Sequence, residues 1–263
     1  MLVAAAVCPC PPLLLPEIAA GAAPELDTAR AACADAIGVL AAARPDLLVV
    51  VGPTDTPSNT PSDSATDGTT DSAGPETFPG GTAGTFRGFG VDLDVRLGTH
   101  AGGDTGTGAR PDAAGGKDLP PALAVGAWLL ARSGWTGAPV EGLGVGEFLT
   151  AERCVDRGRE LGARAERVAL LVLGDASACR TLKAPGYLDE RAAPFDAGVA
   201  RALETVDTAA LRALDPGLAR ELKVSGRAPW QVLAGAAEDA GLEGALLYED
   251  APYGVGYLVA TWS

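Results

Sequence analysis

Three short apolar runs without polar alternation stand out along the chain, and each breaks off into small or polar residues. Residues 2–7 run into Cys8-Pro9-Cys10-Pro11-Pro12, residues 47–51 into Gly52-Pro53-Thr54-Asp55, and residues 168–173 into Gly174-Asp175-Ala176-Ser177-Ala178. Such runs predict strands covered on both faces, the habit of parallel sheets. Ligands of open α/β sheets bind in the crevice beyond the carboxyl ends of such strands.

Between the first two runs, Leu26, Ala29, Cys33, Ile37 and Leu40 recur at helical spacing over residues 24–43, and Arg44-Pro45 ends the pattern. A strand, helix and strand of this length predict a right-handed βαβ unit with parallel neighbours. The prolines after the first run exclude helix or ladder pairing until about Pro16. Residues 86–97 predict one strand or a bent pair. Asp118-Leu119-Pro120 opens a helix through Leu130, residues 139–145 form a strand, and Thr150 caps a helix reaching about Ala165. Residues 195–203, 209–214 and 229–240 predict three helices, with Gly241 as a stop, and residues 245–248 and 255–262 predict two closing strands. The sum is an α/β fold, with a mixed, mostly parallel central sheet and flanking helices, over residues 1–263 as one domain.

Composition changes this picture in two places. Residues 54–84 are rich in Ser, Thr, Asp, Gly and Pro, and residues 98–117 are Gly-rich; both read as low-complexity surface insertions. The second holds His100, the one histidine, which reads as exposed, and a single histidine excludes a three-histidine metal site. Acidic residues outnumber basic ones 34 to 20 for a net charge of −14, a surface that repels phosphate backbones and anionic lipid; nucleic acid and membrane are therefore not expected partners. No apolar run reaches the length of a membrane span and Met1-Leu2-Val3-Ala4 has no basic n-region, so a cytoplasmic protein is expected. Five scattered cysteines do not form a disulfide framework.

The order of these elements, the Pro-rich loop after the first strand, Gly174-Asp175-Ala176-Ser177-Ala178, Ser225-Gly226-Arg227-Ala228-Pro229 and the closing Tyr253-Gly254-Val255-Gly256-Tyr257 resemble the LigB-like superfamily. That group contains the class III extradiol ring-cleavage dioxygenases and the Memo proteins. The resemblance implies a dioxygenase-like α/β fold with a metal pocket at the strand ends. In ring-cleaving members two histidines and a glutamate hold Fe(II), and a further histidine does acid and base work on the substrate hydroxyl.

At the matching positions this chain carries other groups. The family's Pro-His-Pro reads Pro9-Cys10-Pro11, its Ser-Pro-His reads Gly52-Pro53-Thr54, its acid and base histidine falls on Ala178, and the Memo cysteine falls on Ser225. The resemblance with these exchanges implies a relative without iron-dependent catechol cleavage: a non-catalytic or diverged protein that binds a small molecule or a partner, with no cofactor expected. An alternative keeps an enzyme with an altered metal site for Zn or Cu, built from Cys8, Cys10 and Asp55, with Cys179 and Asp175 near the same crevice.

Asp175, Ser177 and Arg227 are the candidate ligand-binding residues. Arg227 offers a guanidinium fork to an anion, or forms a structural pair with Asp175 or Asp196. A small anionic or aromatic ligand follows, with Trp230 and Tyr187 as candidate aromatic walls. Glu249 beside Asp250 is a further charged candidate whose favoured reading is a solvated strand edge, and Lys183 either neutralises an anionic ligand or is simply exposed. Relatives of this fold often pair into dimers, which adds a homodimer to the candidate partners.

Overall fold

The computed structural model describes residues 1–54, 74–98 and 117–263. Nine strands occur among them: β1 Leu2–Cys8, β2 Leu47–Thr54, β3 Glu76–Phe78, β4 Ala83–Thr85, β5 Asp94–Arg96, β6 Val140–Gly146, β7 Val168–Leu173, β8 Gly244–Asp250 and β9 Tyr257–Trp262. The helices are α1 Pro16–Ala19, α2 Asp27–Ala42, α3 Pro121–Arg132, α4 Ala151–Gly162, α5 Ala192–Glu204, α6 Thr208–Arg212, α7 Pro216–Glu221 and α8 Arg227–Ala236. Seven strands form a mixed central sheet in the order β3-β6-β2-β7-β1-β9-β8, and β4 and β5 pair separately. The inner strands β6, β2, β7 and β1 are mutually parallel, while β3, β9 and β8 add antiparallel edges.

Strand β7 explains the architecture. All six of its residues are buried, and it is parallel to β1 on one side and β2 on the other. Alternate residues of the inner strands feed two cores: Ala5, Val7, Val49, Val51, Leu170 and Val172 pack towards α4, α5 and α8. Ala4, Ala6, Cys8, Leu48, Val50, Leu171 and Leu173 pack towards α2 and α3. A strand apolar at every position satisfies both layers, each fully buried Leu or Val contributing roughly 1.5–3 kcal/mol.

Close approach between layers depends on glycine. A Cβ at Gly126 of α3 would lie 2.7 Å from Leu173 Cδ1 of β7. Helices α4 and α8 cross at Gly158 and Gly235, where added Cβ atoms would lie 2.0 Å from the Val232 carbonyl and 2.1 Å from that of Val155. Helix α3 is buried from Ala122 to Leu130 because the β4–β5 pair covers its outer side, with Gly84 against Ala124.

Several expectations are corrected. β1 and β2 are parallel but not neighbours, because β7 inserts between them; β7 comes late in the chain, and pairing partners are chosen by burial rather than sequence order. The insertion assigned to residues 54–84 is too wide: β3 pairs antiparallel with β6, Phe78 is buried, and β4 begins at Ala83. Residues 55–73 and 99–116 lie outside the described residues, and with them Asp55 and His100. Residues 86–97 contain a 3₁₀ turn, Arg87–Phe89, and only β5 as strand, since Gly90 takes φ +82° and breaks the alternation. The proline loop holds a 3₁₀ turn, Pro12–Leu14, with Pro12 at its start where no N–H is needed. Helix α7, capped by Asp215 and led by Pro216, was not anticipated, and α8 starts and ends earlier than expected.

The glycine crossing gives a direct stability test. Gly158→Ala or Gly235→Ala is expected to destabilise by about 1–3 kcal/mol through overpacking, whereas Gly38→Ala in α2, with nothing within 4 Å of its added Cβ, is expected to stabilise by about 0.5–1 kcal/mol. Chemical denaturation of the three variants checks the sign at each site.

Candidate functional site

Because β1, β2, β6 and β7 run parallel, their carboxyl ends open at one edge of the sheet. A cavity of about 370 Å³ lies there. Cys10 follows β1, Pro53 and Thr54 end β2, Glu147 and Phe148 follow β6, and Asp175 follows β7. Ser225, just before α8, and Pro121 and Ala122 at the start of α3 complete the wall.

The β7 and α8 ends meet because both are glycine at the contact. A Cβ on Gly174 would sit 2.3 Å from Gly226 Cα, and one on Gly226 would sit 2.2 Å from the Trp230 ring. Four backbone N–H groups then fix the tip: Gly174 donates to the Cys8 carbonyl at 3.1 Å, and Gly226 to the Asp175 carbonyl at 3.0 Å. Asp175 donates to Ser225 Oγ at 2.8 Å, and Cys10 donates to Asp175 Oδ1 at 2.9 Å. The Asp175 carboxylate is thus held across β1, β7 and the start of α8.

Burial raises the acids here. The Asp175 carboxyl is pushed up to about 7 by desolvation, opposed by the hydrogen bond from Cys10. The Cys10 thiol, 7 % exposed, is driven well above its ordinary value by burial and then by the neighbouring Asp175 charge. Burial, with Asp175 second, also raises the Tyr257 phenol. At neutral pH the cavity therefore holds a protonated thiol and a carboxyl that readily exchanges its proton.

Of the residues singled out in the sequence, Cys10, Thr54, Asp175 and Ser225 line the one cavity. Ala178 lies apart from the wall, donating to the Leu222 carbonyl and accepting from Gly186 N–H. Ser177 also faces elsewhere: its N–H and Oγ both donate to Asp196, at 2.9 and 2.8 Å, and Arg180 pairs with the same carboxylate at 3.0 Å. Arg227 meets neither Asp175 nor Asp196. Buried to 3 % exposure, it donates to the Leu149 carbonyl at 2.7 Å, to Gln231 Oε1 at 3.0 Å and to the Glu147 carbonyl. It braces the loop after β6 and thereby sets Glu147 and Phe148 in the wall, which corrects its expected role as an anion anchor. Trp230 is fully buried, and Tyr187, Lys183, Glu249 and Asp250 are exposed away from this wall.

Glu147, Phe148, Pro121 and Ala122 were missed. The signal for the first two was present: β6 is a fourth parallel strand, but Gly142, Gly144 and Gly146 dilute its apolar run, so its tip does not stand out.

The donor set does not fit the ferrous iron that the family resemblance implies. Ferrous iron in such sites takes imidazole nitrogens and a carboxylate. This wall offers a thiol, two hydroxyls, Asp175 and the rim carboxylate of Glu147, with no imidazole among its described residues. Of the Cys8, Cys10 and Asp55 set, Cys8 is fully buried with its thiol against Cys33 and Asp55 lies outside the described residues; no group of three His, Cys, Asp or Glu that could hold a metal ion occurs among the described residues.

No protein-family model matches the chain, and no curated protein matches it. The fold is similar to the crystal structure of an uncharacterized protein from Escherichia coli K12, with a TM-score of 0.55 and 15 % identity over 99 % of this chain and 100 % of that one. The two share an α/β architecture. Among the described residues no helix is long and apolar enough to cross a membrane.

The raised Asp175 carboxyl has a defined sign for stability. Between the unfolded value of 3.8 and about 7 the folded chain holds a proton that the unfolded chain has lost, so stability falls as pH rises through that window. Asp175→Asn keeps an oxygen for the Cys10 N–H and removes the charge. It is expected to stabilise at pH 8 by on the order of 2 kcal/mol and to change little at pH 4. Thermal unfolding of both proteins across that range checks this; a difference independent of pH contradicts it.

Proposed function

We propose that this chain is a LigB-like protein, akin to the class III extradiol dioxygenases and Memo proteins, that uses its strand-end cavity to bind a small molecule and does not cleave catechols with ferrous iron. The observation that carries the reading is the convergence of Cys10, Thr54 and Ser225 on one cavity wall with Asp175. These are three positions at which the resemblance implies metal ligands, and here they carry a neutral thiol and two hydroxyls.

Such a wall suits recognition better than redox chemistry. Hydroxyls, a fixed carboxylate and proline and alanine surfaces give a few directed hydrogen bonds against an apolar lining, the usual composition of a ligand pocket. Neither Ser225 nor Cys10 has a histidine partner among the described residues. Burial also favours the protonated form of the Cys10 thiol, the less nucleophilic one.

Two measurements test the reading together. Purified protein supplied with ferrous iron, oxygen and catechol is expected to show no ring-opened chromophore and no oxygen uptake. Catechol binding, followed by perturbation of the amide signals of Thr54 and Ser225, is expected to persist without iron. Iron-dependent turnover that disappears on Cys10→Ala contradicts the proposal.

A further inference from the structure

The strand-end cavity is formally acidic. Among the described residues Asp175 and Glu147 are its charged lining groups, and no basic side chain lines it. The nearest structural claim on a cation from the loop after β6 is already met, because Arg227 spends its guanidinium on the Glu147 and Leu149 carbonyls and on Gln231. Asp175 is fixed through Oδ1 by the Cys10 N–H, while no donor among the described residues reaches its Oδ2. A carboxylate held in place by backbone, with one oxygen free at a cavity wall, is a preorganised acceptor for a ligand donor.

We propose that this cavity takes a small organic ammonium ion, with Asp175 Oδ2 as its direct partner, Glu147 as a second counter-charge at the rim, and the Thr54 and Ser225 hydroxyls as further acceptors. The assignment rests on the reading of the crevice as a ligand pocket and adds the ligand's charge. At about 370 Å³ the space is at the lower end of ligand cavities and suits a single ring or a short chain bearing the ammonium group. Phe148, half exposed at the rim, already carries the Arg220 guanidinium 5.6 Å from its ring centroid, so its π system engages cations in this setting. An anionic ligand meets two carboxylates on this wall and no basic lining side chain among the described residues, which argues against the anion expected when Arg227 was read as an anchor.

The test uses three probes of matched shape: 2-phenylethylammonium, neutral 2-phenylethanol and 3-phenylpropionate. Titration calorimetry at about pH 8 is expected to show the ammonium binding at least about tenfold tighter than the alcohol, a gain typical of one charge-assisted hydrogen bond, and no saturable binding of the carboxylate. Asp175→Asn is expected to reduce the ammonium to the affinity of the alcohol, and Glu147→Gln to weaken it by about threefold at most, as for a solvent-exposed charge. Glu147 is exposed, so its variant reports on the cavity even if Asp175→Asn disturbs the fold. Equal affinity for ammonium and alcohol, binding of the carboxylate, or an unchanged preference in both variants overturns the inference. If catechol perturbs the Thr54 and Ser225 amide signals while the ammonium gains nothing, the charge assignment alone fails. If neither catechol nor any of the three probes binds, the ligand-pocket reading fails with it.

Discussion

Two backbones touch at Gly174 and Gly226, and the arrangement of the strand tips depends on that contact. With a side chain at Gly174 the end of β7 and the start of α8 would separate, and one at Gly226 would run into the Trp230 ring. The Asp175 N–H would then lose the Ser225 hydroxyl, and Gly226 N–H would lose the Asp175 carbonyl. Asp175 would no longer stand where the Cys10 N–H reaches it. A glycine pair thus converts the meeting of a strand and a helix into a rigid acceptor at the mouth of the sheet. The same steric rule, no Cβ where main chains must touch, sets the α4–α8 crossing at Gly158 and Gly235.

Around this contact the charges are divided by how they are satisfied. Asp196 is buried and receives Ser177 and Arg180, so its charge is matched. Arg227 is buried and matched by carbonyl oxygens and Gln231. Asp175, half-buried at this edge, faces the cavity with a single hydrogen bond to its carboxylate among the described residues, and desolvation pushes its acid up to about 7. The two matched groups hold the loops, and the unmatched one is left facing the cavity.

Much of the architecture was legible because burial on both faces leaves a plain mark. The all-apolar β7 was readable over residues 168–173 with its bounds as observed. Thr150 was readable as a cap, and it accepts from the Arg153 N–H at 3.4 Å. Elements without such a mark were misread. β3 is three residues long and earns its place in the sheet by pairing with β6 and burying Phe78, neither of which a Ser- and Thr-rich stretch announces. Strand order was equally silent, since β7 reaches its place between β1 and β2 only after most of the chain has been laid down.

By itself the amino-acid sequence determined which segments are buried strands, that several of them end in polar residues, and that the one histidine, His100, lies at none of those strand ends. These follow from side-chain chemistry and local periodicity, which neighbours in sequence already express. Only the tertiary structure decided that Cys10, Thr54, Asp175 and Ser225 share a wall while Ser177 and Ala178 turn away, and that Arg227 faces carbonyls rather than the cavity. Residues two or three positions apart beyond a strand end point in different directions, and a guanidinium binds whichever acceptors the folded chain brings within reach. Those are properties of contacts between distant segments, and no local pattern encodes them.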